Sequence, residues 1–163
     1  MPGGFFTGKS KDYKGNDDFY TLKETWELIV KYLPTNKIAW EAFWGNGKSG
    51  QFLTELGVNV IHKDEDFFEF NRGDYVLSNL PFSIKRKILD RLYELEKPFI
   101  LIMPYEVIFY QYFNKFKTSE LTILIPPKRQ HFNKPDGTLK KFNYDCVFFA
   151  WKMNLESQLI FLK

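Results

Sequence analysis

Four residues near the middle of the chain, Asn79-Leu80-Pro81-Phe82, place an amide, a rigid kink and an aromatic ring directly after the β-favouring run Tyr75-Val76-Leu77. Pro81 cannot donate to a strand ladder and restricts the residue before it, so a buried strand is expected to stop abruptly at Asn79. Ser83 then stands in a capping position ahead of Ile84, Ile88, Leu89, Leu92 and Leu95, whose spacing predicts a helix. An amide side chain, exposed carbonyls and a ring at the carboxyl end of a strand lie where α/β sheets bind their ligands.

Three other stretches carry residue types suited to binding. Gly45-Asn46-Gly47-Lys48-Ser49 follows the run Ile38 to Phe43 and precedes a predicted helix over Ser49 to Leu56. Glycines allow close approach of backbone to a ligand, and a helix start offers free amides. A phosphate-binding P-loop needs a glycine at position 42, where Ala42 stands, so that reading is set aside. After a predicted strand over Val58 to Ile61 comes His62-Lys-Asp-Glu-Asp-Phe-Phe-Glu-Phe70, which reads either as a ligand-binding acidic loop or as a solvated acidic turn anchored by core phenylalanines. Finally, Pro126 to Phe142 holds five Lys/Arg against one Asp, with Phe132 and Phe142 interleaved and a Pro135-Asp136-Gly137 turn. Lys128, Arg129, His131, Lys134, Lys140 and Lys141 suit phosphate contact beside rings that can stack on an unpaired base, although charge runs are also commonly just solvated.

Composition narrows the classes. The 163 residues suit one domain, expected to comprise an N-terminal arm over 1–18 and a single domain over 19–163. Aromatic residues reach 19%, with 18 Phe, so most rings must be core. The net charge of +3 permits a nucleic-acid partner without demanding one. The lone Cys146 excludes an internal disulfide, and His62 has no second His or Cys at ligand spacing, so no metal site is expected. No long apolar run or signal-peptide pattern is present, and the expectation is a soluble protein of the cytoplasm with no membrane partner.

The remaining elements follow from periodicity. Thr21 to Leu33 reads as a helix ending before Pro34, with Thr21 and Glu24 at capping-box spacing. Lys97 to Pro104 is a continuous apolar run, as in a buried parallel strand. Tyr105 to Phe116 reads as an aromatic-rich helix and Leu121 to Ile125 as a strand, with Tyr144 to Trp151 and Gln158 to Leu162 as two closing strands.

At Asn79-Leu80-Pro81-Phe82 the chain resembles the S-adenosylmethionine-dependent methyltransferases that act on the exocyclic amino group of adenine. The Asn-Leu-Pro-Phe form is that of the rRNA adenine dimethyltransferases, and the wider Ser78-to-Ser83 context is similar to small viral and phage-type enzymes. Asp18-Phe-Tyr-Thr-Leu22 resembles the segment with which the phage-type enzymes begin, with Leu22 in place of a usual proline. The resemblance implies an α/β, trimmed Rossmann-like class I methyltransferase fold, mostly parallel with a C-terminal antiparallel hairpin. It implies S-adenosyl-L-methionine as cofactor and nucleic acid, DNA or RNA, as partner. Residue by residue, it implies that Thr21 helps hold the methionine end, that Glu41 binds the ammonium group, and that Phe43, Gly45 and Gly47 belong to the loop admitting methionine and ribose. Asp64, with Glu65 as rival, would bind the ribose hydroxyls, Asp66 and Phe67 the adenine ring, and Asn79 would touch both cofactor and target. Only 31 residues lie between Gly47 and Asn79, so one helix, one strand and a loop are expected there.

The chemistry this implies is direct methyl transfer to an amino nitrogen whose lone pair is delocalised into the ring. The Asn79 side-chain oxygen and the Leu80 carbonyl would hold both amino hydrogens, with Pro81 shaping the turn and Phe82 stacking on an unpaired or flipped adenine. Two other readings stand beside it: a non-catalytic nucleic-acid-binding subunit serving an active partner, and a protein glutamine methyltransferase, whose amide target poses the same chemical problem.

Overall fold

Each apolar run bounded by proline, glycine or a charged turn becomes a strand. The computed structural model describes residues 19–163, so the expected arm, with Asp18 of the segment noted above, lies outside the described residues. The strands are β1 (Tyr20–Thr21), β2 (Ala39–Glu41), β3 (Val60–His62), β4 (Tyr75–Asn79), β5 (Phe99–Pro104), β6 (Leu121–Ile125), β7 (Phe132–Asn133), β8 (Leu139–Lys140), β9 (Cys146–Trp151) and β10 (Leu159–Phe161). The helices are α1 (Lys23–Glu27), α2 (Lys48–Glu55) and α3 (Lys85–Glu94). Seven strands form one sheet in the order β10-β6-β9-β5-β4-β2-β3, parallel throughout except for β9, which runs antiparallel to both β5 and β6.

The sheet is buried on both faces, which is why β5 and β9 are apolar at every position. Phe99, Leu101 and Met103 of β5 join Phe149 and Trp151 of β9 on one face, under Ile88, Leu89 and Leu92 of α3. Ile100 and Ile102 join Phe148 and Ala150 on the other, with Trp26 of α1 and Leu53 of α2. Among the described residues no helix is long and apolar enough to cross a membrane.

Between Gly47 and β4, the strand that ends at Asn79, lie one helix, one strand and a loop, so the interval is as short of elements as the spacing implies. Four expectations are corrected. The two closing strands do not form a hairpin with each other: β9 is inserted between β5 and β6, while β10 adds to the far side of β6 in parallel. Thr21 does not cap a long helix. It is paired with Phe132 in β1–β7, and α1 starts from Leu22 without a side-chain cap and gives way to a 3₁₀ turn at Val30–Tyr32. Ser83 lies inside a 3₁₀ turn, Phe82–Ile84, and does not cap α3, which starts from Ile84. The expected helix over Tyr105 to Phe116 is instead two 3₁₀ turns, Tyr105–Phe109 and Gln111–Phe116, separated by an extended Tyr110. Val107, Phe113 and Phe116 are the buried members of this segment. Their spacing in multiples of three suits the three-residue turn and not the 3.6-residue one.

The basic segment is also more ordered than a loop. It folds into the β7–β8 hairpin, closed by Gly137 N–H to Lys134 O at 2.9 Å, with Gly137 at φ +86° and the Asp136 carboxylate accepting from Thr138. Pairing of β7 with β1 makes a three-stranded antiparallel sheet, which ties the basic hairpin to the strand that carries Thr21.

Candidate active site

Strand β2 has β3 on one side and β4 on the other, so the chain leaves β2 in one direction and returns in the opposite one. The crevice beyond the carboxyl ends of strands at such a reversal is the expected ligand site of an open α/β sheet. The ends of β2 and β4 are Glu41 and Asn79, the residues singled out in sequence.

Glu41 is 2% exposed. Its Oε1 accepts from the Phe43 N–H at 3.2 Å and from the Ser78 hydroxyl of β4. Burial outweighs these bonds and pushes the carboxyl up to about 8, so it holds a proton at neutral pH in the free protein. Thr21 Oγ1, also buried, has no hydrogen-bond partner among the described residues.

The loop after Glu41 turns at two glycines with left-handed backbone, Gly45 at φ +59° and Gly47 at φ +81°. A Cβ on Gly45 would lie 3.3 Å from the Tyr20 ring, and one on Gly47 would lie 2.8 Å from the Trp44 ring. Gly47 is the N-cap of α2, and the Asn46 side chain accepts from the Lys48 N–H at 3.1 Å, so Lys48 is a helix-start residue as its context suggests.

His62, at the end of β3, holds this loop from the side. Its Nδ1 accepts from the Gly50 N–H at 3.0 Å, which makes Nε2 the protonated nitrogen, donating to Phe43 O at 3.1 Å. Burial lowers its pKa in keeping with that neutral tautomer. Its role is structural, and among the described residues no group of three or more His, Cys, Asp or Glu is placed to hold a metal. A Cβ on Gly50 would lie 2.3 Å from His62 Nδ1. Gly→Ala inside a helix ordinarily stabilises by about 1 kcal/mol. Gly50→Ala is expected to do the opposite, because overpacking costs about 1–3 kcal/mol and the His62 bonds are lost with it. Urea denaturation checks the sign.

The acidic loop after β3 is pinned on its far side by Arg91 of α3, which donates to Phe67 O at 3.1 Å and Phe70 O at 3.0 Å. Glu65 is committed to Arg72 through two bonds of 2.5 and 2.8 Å, which hold its carboxyl below the usual range. Asp66 accepts from the Phe68 N–H at 2.9 Å. Phe67 is fully buried against Trp40 and Phe43, and Phe43 is itself buried, so both rings are core and offer no open face to a ligand. They fix the loops that carry Asp64, Asp66 and Gly45.

On the other side of Asn79 is a cavity of about 290 Å³, lined by Phe19, Asn79, Leu80, Phe82, Ser83, Lys85, Phe132, Phe142 and Tyr144. That is close to the lower end of the ~300–1,000 Å³ range of small-molecule sites. Asn79 Nδ2 donates to Phe19 O at 3.3 Å, which sets the orientation of the amide and turns its oxygen the other way. Phe142 stacks on Tyr144 at 4.8 Å and meets Phe132 at 5.1 Å and the edge of Phe19 at 5.2 Å. Lys85 Nζ reaches Phe82 O at 3.2 Å. The arrangement suits a flat, polar-edged ring.

Of the basic residues singled out in sequence, Lys128, Lys134, Lys140 and Lys141 are exposed. Arg129 is instead paired with Asp145 through bonds of 3.0 and 3.1 Å and also donates to Phe142 O, and His131 Nδ1 accepts from the Phe142 N–H. Arg129 and His131 thus brace Phe142 of the aromatic wall, Arg129 while remaining exposed at the surface. Sequence reasoning missed Ser78, Phe19, Lys85 and Tyr144. Phe19 and Tyr144 reach the cavity only through long-range packing, while Lys85, three residues past the Asn-Leu-Pro-Phe run, had a local signal.

Comparison of the chain with models of known protein families, with curated proteins and with solved structures found no match.

Proposed function

We propose that this chain transfers a methyl group from S-adenosyl-L-methionine to the exocyclic amino group of an adenine in nucleic acid, within a trimmed class I methyltransferase fold. The observation that carries the reading is the position of Asn79-Leu80-Pro81-Phe82. It ends β4 and opens into the aromatic-walled cavity, one strand away from buried Glu41 and the glycine turn.

The residues on the cofactor side fit that group: a buried carboxyl lacking a counter-charge, an unpartnered buried hydroxyl on Thr21, and two left-handed glycines beside them. Glu41 would hold the ammonium, Thr21 the methionine end and Asp64 the ribose hydroxyls. When bound, the cofactor supplies an electrophilic methyl group on sulfonium. Asn79 Oδ1 and the Leu80 carbonyl accept the two hydrogens of the target amine. This favours a pyramidal nitrogen and stabilises the positive charge that develops as it attacks. Phe82 and Tyr144 hold the base by stacking, which requires it to be unpaired or flipped. Phe142 and Phe132, expected from sequence to stack on the base, are buried and instead back the wall. Positioning is the main source of rate. The aromatic walls favour a ring as target over the aliphatic amide of glutamine.

Calorimetric titration with S-adenosylmethionine, followed by methyl transfer to adenine-containing oligonucleotides, tests the reading. Micromolar binding is expected, weakened about tenfold or more in Asp64→Ala by loss of hydrogen bonds to a charged group. A folded wild-type protein that binds no cofactor would sink the reading in favour of a non-catalytic subunit. Methylation of protein but not of oligonucleotide would favour the glutamine reading.

A further inference from the structure

Between α3 and the 3₁₀ turns after β5 is a second cavity, of about 590 Å³, lined by Arg86, Phe109, Tyr110, Gln111 and Tyr112. Splitting this segment into two short turns leaves Phe109 75% exposed and Tyr105 50% exposed. Rings of that size are ordinarily drawn into the core, and this chain has one close by. The Tyr110 and Tyr112 rings lie 5.4 Å apart, and the Arg86 guanidinium sits 5.7 Å from the Tyr112 centroid. Lys85 joins this cavity to the first: its Nζ is 3.2 Å from Phe82 O and 5.7 Å from the Tyr110 ring centroid.

We propose that this second cavity holds a nucleotide flanking the target adenine, its base stacked on the Phe109-to-Tyr112 aromatics and the intervening phosphate met by Lys85 and Arg86. The inference rests on the reading of the first cavity as an adenine site in nucleic acid. Aromatic faces alternating with cationic side chains are the physical means by which proteins track single strands. The charge balance agrees. Glu106 is the acidic group on the aromatic segment and is hydrogen-bonded with Tyr110, Asp90 is committed to Lys115, and α3 presents Lys85, Arg86 and Lys87 in succession. A polynucleotide whose target base enters the first cavity would bring its next phosphate to Lys85, which lines that cavity and approaches the Tyr110 ring of the second.

The test is fluorescence anisotropy, without cofactor, on a fluorescein-labelled single-stranded hexanucleotide carrying one central adenine among pyrimidines, with adenosine monophosphate titrated in parallel. Phe109→Ala and Arg86→Ala replace exposed side chains and leave the fold intact. Each is expected to weaken the hexanucleotide about tenfold and to leave adenosine monophosphate unchanged. Phe82→Ala is expected to weaken both ligands. Equal binding of the hexanucleotide by wild type, Phe109→Ala and Arg86→Ala overturns the flanking site. So does an equal loss for both ligands, or a Phe109→Ala effect confined to self-association in sedimentation. Failure of the underlying adenine reading looks different: Phe82→Ala then leaves both ligands bound as before.

Discussion

Asn79→Ala is expected to bind S-adenosylmethionine nearly as wild type does while transferring methyl groups about 10²–10³-fold more slowly, the loss typical of removing one group aimed at developing charge. The amino nitrogen of adenine is a poor nucleophile until its lone pair is freed from the ring. Both proposed acceptors act on that step, and only one of them is a side chain. The Leu80 carbonyl survives any substitution at position 80, whereas the Asn79 oxygen is removed outright by alanine. The substitution also removes the Nδ2 bond to Phe19 O. A partly exposed bond of this kind contributes about 1 kcal/mol, so thermal stability should fall only slightly. Single-turnover methyl transfer separates the two roles: a large fall in the chemical step with a small change in stability supports the acceptor role. A large fall in stability with a normal chemical step would make Asn79 a strut for the Phe19 end of the chain.

Much of the architecture was legible because its determinants are local. The run between Lys97 and Pro104 could only be a strand buried on both faces, and Pro81 forces β4 to end at Asn79 in full view of the crevice. What escaped was set by partners far away in sequence. Thr21 has a capping-box neighbour four letters' worth of information deep, but its pairing with Phe132 overrides that signal. The acidic loop displayed its carboxylates and concealed which rings were core. Only the packing of Phe67 between Trp40 and Phe43 shows that it is core. In the Tyr105 to Phe116 segment the aromatic content suggests a helix while the spacing of the buried members, in threes, suits 3₁₀ turns. A regular helix would carry Phe109 on a different face, so the second cavity has no local signal in the sequence.

The buried carboxyl is where stability and function pull against each other. Burial raises Glu41 from 4.5 to about 8. Between those values the unfolded chain has released its proton and the folded one has kept it. Folding therefore takes up a proton, and stability falls as pH rises, by about 1.4 kcal/mol per unit. The contribution of the neutral carboxyl is present in full below 4.5 and lost as pH passes 8. Glu41→Gln keeps the shape and an oxygen for the Phe43 and Ser78 donors but has no proton to lose. It should match wild type at acid pH and exceed it by a few kcal/mol near pH 7, which denaturation across that window measures. The same variant should lose cofactor binding by about 10²–10³-fold, because breaking a buried ion pair costs about 3–5 kcal/mol. In wild type, ammonium binding must expel the Glu41 proton, so titrations at pH 6.5 in buffers of different ionisation enthalpy should report release approaching one proton per site, and Glu41→Gln none. Tight binding without proton release, or unimpaired binding by Glu41→Gln, would assign the ammonium to another partner and leave Glu41 a buried strut between β2 and β4. If both effects appear, the chain gives up stability at neutral pH in order to keep a carboxyl beside its cofactor.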